Sequence, residues 1–234
     1  MSVLPACRSR IAAPNPANPV PITETSTLPP APTARSGAAR AHTKVPRALL
    51  PDSALSLSMT MRTNRPLRTA SLVFFDLETT ALRPDRGGRI CEMAVVDEQG
   101  IRFDWRSDST PPRDDAVSHQ LRRLVSHLEA GVVVGHNLQF DLRFLTYEAE
   151  RLKLGRLDLY FTDTLGLARS LLDAADTYQL GDVLGFFNAP PEKALHTAVG
   201  DALATRTLFW HLVEHSGLQT LSDAHVQRLR WGPQ

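Results

Sequence analysis

The strongest constraint on this chain is where its aromatic residues lie. All fifteen Phe, Trp and Tyr occur at or after Phe74, whereas 11 of the 17 prolines fall within residues 1–66. Aromatic side chains supply much of the apolar area that a domain buries. A segment without them cannot offset the entropy of ordering its own backbone. A single globule of 234 residues is thereby excluded. Charge divides at the same place: residues 1–70 carry +7 and residues 71–234 carry −6, although the whole chain is formally +1. The expected organisation is a disordered basic leader rich in Pro, Ala and Arg over 1–70, a folded domain over 71–216 and a C-terminal tail over 217–234.

Two readings fit the leader. Its Arg- and Ser-rich, acid-poor composition is that of an organelle transit peptide. Met59 and Met61 stand just ahead of the first apolar run, so an early-assigned start codon or an inert tail is the favoured reading. No apolar run is long enough for a membrane span, and no secretory signal core is present. Cys7 and Cys91 are too few for a disulfide framework or a zinc site. A reducing, cytoplasmic setting follows, with an organelle as the alternative if the leader is a transit peptide.

From Ser71 the pattern changes. SLVFFDLE is an apolar run of strand length, and ICEMAVVDE followed by IRFDW reads as an antiparallel hairpin. Val117, Leu121, Leu124, Val125 and Leu128 recur at helical spacing over 116–130, with Gly131 suited to the C-terminal cap. VVVG is a short buried strand, and Asn137 is placed to cap a helix whose inward face carries Phe140, Phe144 and Leu145. LDLYFTD reads as a further strand, with helices near 164–173, 179–187 and 197–215. Strands first and then alternating helices and strands imply an α/β layered sheet of mixed direction.

Three clusters carry chemistry. Asp76 and Glu78 stand two apart near the end of an apolar strand, so both carboxylates project from one face of the sheet. Asp141 falls in the first turn of the helix after VVVG, where the helix dipole favours an acid. His196 and Asp201 are five positions apart, about 140° of net helical rotation, so they cannot share a helix face. His196 is therefore expected on a loop and Asp201 one turn into the following helix. Taken singly, each cluster is also compatible with an ordinary structural role.

Taken together, FFDLETT, HNLQFDLRFL and HTAVGDALAT resemble, in order, the three sequence motifs of the DnaQ-like 3′–5′ exonuclease family, in its DEDDh branch. DTLGLARSLL, with Asp163, resembles the segment usually found between the last two motifs. The resemblance implies a ribonuclease H-like mixed sheet with flanking helices. It also implies two Mg²⁺ or Mn²⁺ ions on Asp76, Glu78, Asp141 and Asp201, with His196 as general base and Thr79 and Leu82 near the terminal nucleotide. Elementary chemistry agrees. Two unit charges 4 Å apart repel by about 4 kcal/mol at an effective dielectric of 20, and all-oxygen ligand sets select hard cations. Two ions can hold an attacking water and a leaving oxygen in line across a phosphate, and a neutral imidazole can take the proton from that water.

The chain departs from the family pattern in two places. Ala81 follows Thr79 and Thr80 where Gly is usual, and the usual H-G-I-T loop has only AVSHQL in its place. The acidic domain lacks the Lys and Arg for a long duplex footprint; Arg83, Arg86, Arg89, Arg143 and Arg206 are the cations near the motifs. The expected function is release of nucleoside 5′-monophosphates from single-stranded DNA 3′ ends, in proofreading or repair, with a DNA polymerase subunit as partner. RNA hydrolysis by the same chemistry is the alternative. A haloacid-dehalogenase-like phosphatase is disfavoured because D-x-E stands in place of D-x-D, and a silent interaction module because all five chemical positions are intact.

Overall fold

Chain segments that read as strands from their apolar runs assemble into one sheet in the computed structural model, which describes residues 64–173 and 177–232. The leader expected over 1–70 lies outside the described residues as far as position 63. Six strands are present among the described residues: β1 Leu72–Thr79, β2 Ile90–Asp97, β3 Gly100–Arg106, β4 Val132–Gly135, β5 Leu157–Asp163 and β6 Gln227–Trp231. Their order is β3-β2-β1-β4-β5-β6. The hairpin β2–β3 and its pairing to β1 are antiparallel, β1, β4 and β5 run parallel, and β6 returns antiparallel to β5. This is the mixed sheet with flanking helices that the order of strands and helices along the chain leads one to expect.

Helices cover both faces: α1 Asp114–Leu128, α2 Leu138–Arg151, α3 Thr164–Leu171, α4 Leu180–Phe186 and α5 Ala198–Ser216. All eight residues of β1 are buried because the strand is central and covered on both sides. Alternation sorts its side chains. Leu72 and Phe74 join Ala94, Val134 and the buried face of α5, with Phe74 and Phe209 edge to face at 5.9 Å. Val73, Phe75 and Leu77 join Met93, Val95 and the inward residues of α1 and α2. Asp76 and Glu78 therefore fall on the α5 side.

Several local expectations are corrected. Helix α1 begins at Asp114 and ends at Leu128, and its C-cap is Glu129 rather than Gly131. Gly131 is needed for another reason: a Cβ there would press on the carbonyl oxygen of Ser71. AVSHQL lies inside α1, with Val117 and Leu121 buried, so it forms part of the core layer. For the stretch after Ser216, docking on a partner and folding back onto its own domain fit the sequence equally, and the structure has the second, Leu229 pairing with Leu159 and Trp231 with Leu157. Residues ahead of β1 pack as well: Leu67 is buried, and its N–H donates to the Gln219 carbonyl at 2.9 Å.

Candidate active site

Three carboxylates meet where β1 ends and α5 begins. Asp76, Glu78 and Asp201 each place an oxygen within 4.8 Å of the others, and all three are buried. The cluster exists because α5 lies close against the sheet. Its first two turns are built from Ala198, Gly200, Ala202 and Ala204, all buried, so little side chain separates the helix from β1 and β2. At Gly200 a Cβ would collide with the carbonyl oxygen of Ala194, so the loop before the helix needs glycine there in order to fold under it.

That loop carries His196. As expected, His196 precedes the helix while Asp201 lies in its first turn. Their link is through the backbone: the His196 N–H donates to Asp201 Oδ1 at 2.9 Å. His196 adopts a left-handed conformation, φ 68°, which a non-glycine residue holds only where its surroundings demand it. Its imidazole is left exposed beside a buried carboxylate cluster.

Asp141 arrives from the opposite layer. Strand β4 ends at Gly135, four residues long, while β1 continues to Thr79. Past the end of β4 the β1 backbone lacks a strand partner on that side, and the Leu77 N–H, between Asp76 and Glu78, donates instead to Asp141 Oδ1 at 3.1 Å. Asp141 is completely buried. The fourth expected acid is thus hydrogen-bonded to the strand segment that carries the first two.

Asp163 holds α2 in that place. Asn137 occupies the N-cap position but is left-handed, φ 58°, and its side chain makes no cap bond, contrary to the expectation. The carboxylate of Asp163 accepts the N–H groups of Asn137 at 2.9 Å and Leu138 at 3.1 Å, and also that of Leu165 at 2.9 Å at the start of α3. One side chain at the end of β5 caps two helices. Asp163→Ala leaves three partly buried donors unmet and should destabilise the domain by about 2–4 kcal/mol, read as a shift in the urea midpoint. An unchanged midpoint would remove Asp163 from this role.

The remaining expected residues separate clearly. Thr79 is buried, and its hydroxyl donates to the Ala81 carbonyl at 2.9 Å, so it shapes the turn after β1. Leu82 is 44% exposed, and Arg143 reaches its carbonyl at 3.4 Å. Arg89 is engaged with Glu148 and Asp114, and Arg206 with Glu192 and the Asp97 carbonyl. Hydrogen bonds from Arg151 and then Arg89 pull the Asp114 carboxyl down to about 2. Arg89 and Arg206 therefore serve as internal ties. His136, the histidine within GHNLQFD, is buried, and its Nε2–H donates to the Tyr178 carbonyl at 2.9 Å. Sequence reasoning missed Glu92; the signal was an acid inside ICEMAVV, a run buried on both faces.

Comparison with known proteins finds similar sequences among DNA polymerase III proteins. A DNA polymerase III subunit epsilon-like protein of Rhodobacter capsulatus is 30% identical over 179 residues, covering 63% of this chain and 24% of that protein. A PolC-type DNA polymerase III of Listeria welshimeri is 32% identical over 168 residues, covering 63% and 12%. The chain is similar to a part of each of these polymerase proteins. It spans a quarter or less of the length of these two. No family model matches it. Exonuclease X in complex with 5′ overhanging duplex DNA is similar at a TM-score of 0.46 and 21% identity, over 66% of this chain and 98% of that one.

Proposed function

We propose that the chain is a metal-dependent 3′–5′ exonuclease that hydrolyses the terminal phosphodiester of DNA and releases nucleoside 5′-monophosphates. The observation that carries this reading is the convergence of Asp76, Glu78 and Asp201, brought from β1 and α5 into one buried cluster. Carboxylates this close and this dry repel one another, so the donor set fits divalent cations. All donors are oxygen, which favours Mg²⁺ or Mn²⁺ over zinc. Asp76, Glu78 and Asp201 would hold the ions, with Asp141 supporting them from the far side of β1. Bound there, such ions supply charge neutralisation at the phosphate and a more acidic water.

The chain's own residues do the rest. The backbone bond from His196 to Asp201 fixes the histidine turn to one of the acids. The exposed imidazole takes the proton from the attacking water at a ring nitrogen. Leu82 and Arg143, joined by a contact from the guanidinium to the Leu82 carbonyl at 3.4 Å, would meet the terminal nucleotide in this reading. DNA is favoured as substrate because the relatives are DNA polymerase proteins, and a polymerase subunit is the corresponding partner. Among the described residues no helix is long and apolar enough to cross a membrane, and a cytoplasmic enzyme acting on DNA is the reading we adopt.

The test is incubation of the full chain with 5′-labelled single-stranded DNA and, separately, RNA, in Mg²⁺, Mn²⁺ or EDTA. The expected result is stepwise shortening of DNA from its 3′ end with either metal and none in EDTA. Shortening of RNA alone would move the substrate to RNA, and no shortening of either would overturn the reading.

A further inference from the structure

We propose that Glu92 is a positioning residue of this site, fixing the turn that carries His196 against the start of α5. The proposal deepens the exonuclease reading and rests on it. Glu92 stands directly opposite Glu78 in the β1–β2 register, so both side chains lie on the face covered by α5. Glu92 is 6% exposed. Its Oε2 accepts the backbone N–H of Ala198 at 3.3 Å. Its Oε1 pairs at 2.8 Å with Arg106, which is Glu92's register partner on β3. One carboxylate thus connects the third strand of the sheet to the first residue of the helix.

The position of that contact gives it leverage. Ala198 follows His196 by two residues and precedes Asp201 by three. The first N–H groups of a helix have no partner within it. Here the Gly200 N–H is met by Thr197 Oγ1 at 3.1 Å and the Asp201 N–H by the Thr197 carbonyl at 2.9 Å, both from the helix start itself. The Ala198 N–H is met from the sheet. Without Glu92 the helix start keeps its local caps but loses this tie to β2, and the left-handed His196 turn is free to shift relative to Asp76 and Glu78. An acid beside Glu78 adds like charge to an already acidic cluster. The Arg106 guanidinium and the helix dipole offset that charge and hold the carboxylate in one orientation.

The mechanism separates reach from charge. Glu92→Asp keeps the charge but, one methylene shorter, withdraws from Ala198. Glu92→Gln keeps an acceptor oxygen at full length. Glu92→Ala and Glu92→Asp are expected to lower kcat about 10- to 100-fold on a labelled oligonucleotide, with KM within about twofold. Glu92→Gln should retain most of the turnover. In a His196→Ala background, Glu92→Ala should add less than about a further twofold, because it acts through His196. Hydrogen exchange on the full chain gives a readout that needs no activity: amides 196–198 should exchange faster in Glu92→Asp, with β1 and β4 unchanged. Full losses in both backgrounds, a normal Asp variant beside an inactive Gln variant, or unchanged exchange at 196–198 would overturn the proposal. An inactive wild-type chain would instead sink the exonuclease reading, and exchange would still decide the role of Glu92.

Discussion

Asp76→Asn is expected to lower turnover by about a thousandfold or more, in Mg²⁺ and in Mn²⁺ alike. The substitution changes little in volume, so the position opposite Ala94 in the sheet can accommodate it. What it removes is one negative charge from a cluster whose three acids lie within 4.8 Å. Asp76 is 1% exposed, so water cannot substitute for the lost charge. The same physics reverses the sign for stability without metal: relieving like-charge repulsion leaves the metal-free Asn variant at least as stable as the wild type. Urea titrations with and without Mg²⁺ measure both sides. The wild type should gain stability from Mg²⁺ through binding to the folded state, and the variant should gain much less. Near-normal turnover, or an equal gain from Mg²⁺, would remove Asp76 from the metal site.

His196→Ala should cost about 10²- to 10⁴-fold in kcat, the range for loss of a general base, while metal affinity stays close to that of the wild type. The separation follows from geometry. The bond that joins residue 196 to Asp201 uses the backbone N–H, which alanine retains. The imidazole is exposed and is not one of the clustered oxygen donors. Calorimetric titration with Mn²⁺ beside single-turnover kinetics distinguishes the two effects. Alanine at φ 68° carries the same Cβ strain as histidine, so the turn itself should persist. Unchanged turnover would exclude His196 as the base, and a parallel loss of metal binding would show that the side chain supports the cluster instead.

Much of this site was legible in linear order. D-x-E on an apolar strand, an acid in the first turn after VVVG, and a histidine five positions before an acid each follow from period and spacing. The structure places Asp76, Glu78 and Asp201 together, which spacing alone leaves open and the resemblance to the exonuclease motifs implies. Where the reading failed, the cause was a contact between distant segments. Asn137 looks like a cap because the residue type favours caps, yet the cap comes from Asp163, 26 positions away. Gly131 looks like a helix end because of its type, yet its need is set by the Ser71 carbonyl.

Glu92 shows the same limit from the other side. Its position in ICEMAVV marks it as unusual, since an acid is seldom buried in a strand, but its partners Ala198 and Arg106 are 106 and 14 residues away. Arg89 and Arg206 are near the motifs in sequence, and only the fold shows that both are committed to Glu148, Asp114, Glu192 and a backbone carbonyl.

The uneven distribution of aromatics by itself determined where a core could form, and strand alternation determined that Asp76 and Glu78 share a face. Both are properties of local chain geometry, which sequence spacing encodes directly. The tertiary structure alone decided that β4 stops short of β1 and so leaves Leu77 to Asp141, that α5 comes close enough for Asp201 to join the pair, and that Glu92 ties the helix start to the sheet. Those outcomes depend on strand order and on the depth of a helix against a sheet, and the packing of the whole domain sets both.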